Sequence, residues 1–131
     1  MLTPLIFAYT YAFPVAIKQA DLLIIAVSFL ISIVNATAEE ILWRGVYLKI
    51  FENKQSAGII ISSIGFAVWH YAPQFIFSNR RPGRAHSFVA FAFVLGLLYA
   101  YAASKQQSIL WTAIAHILFD FAGLGAMIYF H

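Results

Sequence analysis

The sequence predicts an all-α fold, a multi-pass transmembrane helical bundle of about five helices, and three observations carry that prediction. Of 131 residues, 63% are hydrophobic and only 10% charged, with a mean hydropathy of +0.83, far from the make-up of soluble domains. Apolar runs recur at LTPLIFAYTYAFPVAI, LLIIAVSFLISIV, AGIIISSIGFAVW, SFVAFAFVLGLLYAYAA and SILWTAIAHILFDFAGLGAMIYF, approaching the roughly 17–25 residues with which a helix spans a bilayer. These runs are apolar all round, whereas a barrel strand alternates polar and apolar residues over about ten positions.

The first helix is expected over residues 3–17; its run lacks the basic start and small-residue cleavage site of a signal peptide, so it counts as structure. A second helix is expected over 21–51, with Asp21 as its N-cap. The joint ENKQSAG leads to a third over 56–72, where Pro73 and the stretch PQFIF predict a re-entrant or interfacial ending. The basic joint SNRRPGR precedes a fourth helix over 86–103, and SKQQS precedes a fifth over 107–130. No repeat or leftover soluble segment is visible, so residues 1–131 read as a single integral-membrane domain.

The net charge of +3 and pI near 9.3 come from basic residues scattered among the joints, without the dense stripe or stacking platform of a nucleic-acid partner. Lipid headgroups are the expected contacts. Lys18, Arg80, Arg81 and Arg84 fall on one membrane face and Lys49, Lys54 and Lys105 on the other, a bias too small to orient the chain. The absence of cysteine excludes disulfides, thiolate metal sites and thiol nucleophiles.

A charged side chain at the centre of a membrane helix costs roughly 2.5–3.5 kcal/mol even on the lenient insertion scale, so the polar residues inside the spans need a reason. Glu39 and Glu40 lie roughly 27 Å along the second helix and point about 100° apart, which predicts different jobs. Arg44, four residues after Glu40, is placed for an ion pair along one face. That leaves Glu39 the less compensated carboxylate and a candidate general base. Gly45 suits close helix approach at the arginine level.

His70 and His116 sit on two further helices, and Phe66 with His70, like His116 with Asp120, shares a face at i, i+4. Asn35, four residues before Glu39, is placed to hydrogen-bond into the same site or across helices. Convergence of these groups from three helices would hide them all from lipid, and one site is the economical hypothesis. The competing reading is structural, since buried carboxylates and histidines also hold helices in register. Trp43, Trp69 and Trp111 read as packing or interfacial anchors, and His86 and His131 receive no chemistry.

Three of these stretches resemble the motifs of one family. EEILWRG is similar to the EExxxRG motif of the CPBP intramembrane proteases, FAVWH to that family's FxxxH, and HILFD to its third motif, histidine followed four positions later by asparagine or aspartate. The order matches, each motif lies on a separate predicted helix, and the resemblance covers residues 21–130. The family includes CAAX prenyl endopeptidases, bacteriocin-processing and self-immunity proteins of the Abi group, and maturation proteases of bacterial sorting systems.

The resemblance implies an intramembrane endopeptidase that hydrolyses a peptide bond of a membrane-associated or lipidated protein or peptide with Glu/His-activated water. It makes Glu39 the base that activates water, His70 the group that positions or polarises it, and His116 and Asp120 the oxyanion-binding pair, with Glu40 and Arg44 supporting. An ionised Asp120 would repel an oxyanion, so it must be protonated or orient His116. No cofactor is favoured; the alternative is a divalent metal such as zinc held among Glu39, His70, His116 and Asp120, although the HExxH arrangement is missing.

Many relatives carry more helices before the first motif, which leads to the expectation of a partner subunit. The expected location is a prokaryotic plasma membrane. Rival classes are a proton- or ion-translocating subunit, because buried carboxylates and histidines also build relays, and a non-catalytic immunity or scaffold protein.

Overall fold

A computed structural model describes residues 2–18, 20–72 and 84–123 of the chain. Among the described residues there are five helices and no strand. Helix α1 covers residues 2–17, α2 Leu22–Ile50, α3 Gln55–Trp69, α4 Arg84–Gln106 and α5 Leu110–Gly123. Each apolar run has become one helix, within a few residues of the predicted bounds wherever these fall among the described residues; the predicted end of the fifth, at 130, lies outside them. Pro73, the PQFIF stretch with its predicted re-entrant ending, Arg80, Arg81 and His131 lie outside the described residues.

Local chemistry sets the ends. Asp21 Oδ1 accepts from the Ile24 backbone N–H at 2.8 Å and its carbonyl from Ile25 N–H at 3.0 Å, the N-cap that the sequence predicts. α4 ends with Gln107 in the left-handed region, φ 51°, while Ser108 N–H reaches back to the Ala103 carbonyl at 3.4 Å. This is a Schellman-type stop carrying a glutamine where glycine is usual.

Two helices leave α-helical register. Ala8–Ala12 of α1 is π-helical just before Pro14, whose ring lacks the N–H that would close the preceding turn. In α2, Leu22–Glu40 is α-helical, Ile41–Val46 is π-helical and Tyr47–Ile50 returns to α.

The chain forms two compact units, Met1–Glu40 with Leu110–His131, and Ile41–Ile109. In the first, α5 packs along Leu22–Glu40 and against α1. Phe121 lies 5.6 Å from Phe13 and 5.5 Å from Phe29 between ring centres, and Tyr9 Oη donates to the Leu118 carbonyl at 3.1 Å.

In the second unit α3 packs along α4, around Trp43, Phe66 and Ala92. Glycines allow close approach both between α2 and α3, at Gly65, and between α3 and α4, at Gly96. A Cβ on Gly65 would sit 2.3 Å from the Trp43 ring, and one on Gly96 3.2 Å from the Ser63 backbone.

The polarity of both units is inverted relative to a soluble protein. Ser32, Glu39, Glu40, Arg44, Ser62, Ser63, Thr112 and His116 are buried, whereas Leu22, Leu23, Leu30, Val34 and Val68 are exposed. Small and polar residues at helix contacts with large apolar residues outside suit a lipid surround. Leu22–Ile50 and Ala85–Gln106 are long and apolar enough to cross a membrane; Thr3–Ile17 and Leu110–Ala122 are shorter apolar helices. Trp43 is a buried packing residue, while Trp69 and Trp111 are exposed.

Candidate active site

Leu22–Glu40 buries one face that carries small residues, with Ser32 and Ala36 fully buried, and its last turn ends in two glutamates. The ends of that face carry the carboxylates inward: Glu39 is 7% exposed and Glu40 0%. Opposite them on α5 stands His116, 3% exposed. Its Nδ1 lies 3.0 Å from Glu40 Oε1. Its Nε2 is turned the other way.

There it faces two further carboxylates, Glu39 Oε2 at 3.7 Å and Asp120 Oδ1 at 3.5 Å. Asp120 is partly buried and lies one turn from His116 on the same helix face. Asn35 completes the group. Its Nδ2 donates to Glu39 Oε1 at 3.3 Å and to Asp120 Oδ2 at 3.4 Å, linking the carboxylates from the two helices.

The two glutamates therefore address one imidazole by different nitrogens, as their angular separation requires. Glu40 contacts His116 on another helix, a relation that spacing within one helix cannot reveal. Chemically the arrangement offers a carboxylate base in Glu39 and a nitrogen in His116 able to donate towards developing negative charge.

Arg44 and His70 belong to the Ile41–Ile109 unit, and Phe66 joins them. The His70 Nδ1 lies 2.7 Å from the Phe66 carbonyl oxygen. A carbonyl only accepts, so Nδ1 carries the hydrogen and the lone pair of neutral His70 is on Nε2. The ring of His70 packs edge-on to that of Phe66 with centres 4.4 Å apart, and lies 5.6 Å from Phe88. The Arg44 guanidinium carbon sits 4.2 Å from the Phe66 ring centre and 5.5 Å from that of Tyr99, close enough for cation–π attraction.

Phe66 thus holds both the arginine of the first motif and the histidine of the second. Helical spacing puts Phe66 on the face of His70 but marks no task for it. Tyr99 carries no signal in the sequence, since nothing in its apolar surroundings distinguishes it from its neighbours.

Among the described residues, no set of three or more His, Asp and Glu side chains is arranged to hold a metal ion.

Comparison with known proteins adds one positive finding. The family model described as type II CAAX prenyl endopeptidase Rce1-like matches residues 21–122, the stretch that carries all three motifs. Among curated proteins and among solved structures, nothing matches this chain.

Proposed function

The chain belongs to the Rce1-like family of type II CAAX prenyl endopeptidases, and from that premise we propose that it is a glutamate-dependent, multi-pass intramembrane endopeptidase acting on a membrane-associated protein or peptide. The observation that carries the proposal is the contact of one buried imidazole, His116, with Glu40 at 3.0 Å and with Glu39 and Asp120 at 3.7 and 3.5 Å. Carboxylates and an imidazole gathered away from lipid suit amide hydrolysis, which needs a base for water and a donor for the oxyanion.

In this reading Glu39 removes a proton from water as its oxygen attacks the scissile carbonyl carbon. The family's pattern gives His70 the task of positioning that water, and the lone pair on its Nε2 is suited to accept a hydrogen from it. His116, carrying a hydrogen on both ring nitrogens, donates from Nε2 to the tetrahedral oxyanion and is oriented by Glu40 at Nδ1. Asp120, one turn away, is proposed to steady His116 rather than to meet the oxyanion, because an ionised carboxylate would repel it. When the carbon–nitrogen bond breaks, the proton held by Glu39 passes to the leaving amine, giving a carboxylate and a free amino terminus.

The test compares new protein termini, by mass spectrometry, in membranes holding equal amounts of wild type or Glu39→Gln. Termini that appear only with the wild type are the expected result. Their absence, with both proteins inserted, would overturn the protease reading in favour of a translocating or scaffold role. Wild-type turnover by Glu39→Gln would overturn the assigned base. A stoichiometric metal in purified protein whose removal stops turnover would overturn the metal-free chemistry.

A further inference from the structure

A cavity of 330 Å³ opens in the Ile41–Ile109 unit where α2 and α4 end and α3 begins. Its size falls at the lower end of small-ligand sites. Its wall is unlike the rest of this apolar chain: Arg44, Lys49, Glu52, Gln55, Ser104 and Gln107 all line it. None of them takes a step in the proposed chemistry of hydrolysis.

The charges and their depths define what the cavity would hold. Two cations and one carboxylate face it. The carboxylate, Glu52, is bound at the rim by Lys49, and both of those side chains are mostly exposed. Arg44 is 2% exposed and is stacked on Phe66 and Tyr99. This stacking fixes a positive charge at the inner wall of the cavity.

The amides of Gln55 and Gln107 both donate to the Ser104 carbonyl, at 3.5 and 2.6 Å, which fixes the wall without a negative charge. Lys54 follows directly in the α2–α3 joint, and Lys105 lies in the last turn of α4. The field at this end of the unit is therefore positive, as at pockets that take lipid headgroups.

We propose that this cavity binds a phosphate group, with Arg44 at its inner wall and Lys49 at its mouth. The phosphate is carried by an anionic lipid or is free in solution, and one experiment separates the two. The full chain in neutral detergent is unfolded thermally against increasing phosphatidylglycerol, phosphatidylcholine or inorganic phosphate. A saturable rise in Tm with phosphatidylglycerol and not with phosphatidylcholine is expected, since binding to the folded state alone stabilises it. A saturable rise with inorganic phosphate as well would assign the site to the free anion; a rise with phosphatidylglycerol alone would assign it to lipid.

Gln55→Glu and Lys49→Glu change exposed side chains of the wall, so folding is kept. Each should weaken the apparent affinity about tenfold or more, the scale of a lost or opposed charge-assisted contact. Lys54→Glu, outside the wall, should weaken it much less. Absence of saturable stabilisation by any probe, unchanged affinity in both wall variants, or equal loss from Lys54→Glu would each overturn the proposal.

Discussion

The backbone carbonyl of Phe66 accepts the Nδ1 hydrogen of His70 at 2.7 Å, and the two rings meet edge-on with centres 4.4 Å apart. That phenyl ring also carries the guanidinium of Arg44 at 4.2 Å. One phenylalanine thereby fixes a tautomer with its backbone and carries a cation with its side chain.

Phe66→Leu keeps the carbonyl and removes the ring. It should lower stability by about 1–3 kcal/mol, combining lost packing with lost ring and cation–π attraction. A double-mutant cycle with Arg44→Gln, read by thermal unfolding in detergent, should give a coupling of about 0.5–2 kcal/mol. Strict additivity would mean that the 4.2 Å stacking contributes nothing.

Glu40→Gln replaces an acceptor-only carboxylate with an amide at 3.0 Å from His116 Nδ1. The shape is kept, but the negative charge that holds a second proton on the imidazole is lost. Turnover should fall by about 10²- to 10⁴-fold with normal accumulation, whereas Glu39→Gln should abolish it. Quantified product from matched amounts of the two variants and wild type checks the order.

Asn35→Leu removes the amide that links Glu39 to Asp120. With its hydrogen bonds of 3.3 and 3.4 Å gone, the base is held less well, and kcat should drop by about tenfold or more with little change in KM. Asn35→Asp should be worse, because it sets a further carboxylate against two others. Equal activity of the two variants would argue against a positioning role.

Gly65→Ala would press a methyl group to 2.3 Å from the Trp43 ring. Overpacking of this kind costs about 1–3 kcal/mol. Trp43→Leu, itself destabilising, should make the added methyl nearly harmless, so the two changes should be strongly non-additive in unfolding experiments.

Much of the fold was legible because lipid demands long apolar runs, and the runs map onto α1 to α5. The cap at Asp21 was legible too, as was the face shared by His116 and Asp120, because both are local relations along one helix. Asn35 was marked by its i, i+4 offset from Glu39 for the same reason. The contact of Glu40 with His116 joins residues 76 positions apart and has no periodic trace. Nor has the approach of Trp43 to Gly65. Gly45, read as a close-packing position, borders the polar cavity, a distinction that depends on which neighbours face it. The π-helical register of Ile41–Val46 was hidden because hydropathy does not distinguish one helical hydrogen-bond pattern from another.

That register has a consequence for how such a chain tolerates change in length. A π turn holds one residue more than the α-helical pattern on either side requires, and here the surplus falls in the segment that contains Trp43 and Arg44. Losing a residue such as Leu42 could be absorbed inside this wide turn, where the same loss in the middle of an α-helix would rotate everything beyond it by about 100°. Deletion at this point would therefore act as a fine adjustment of aim for the indole and the guanidinium, leaving the greasy exterior of the helix as it was.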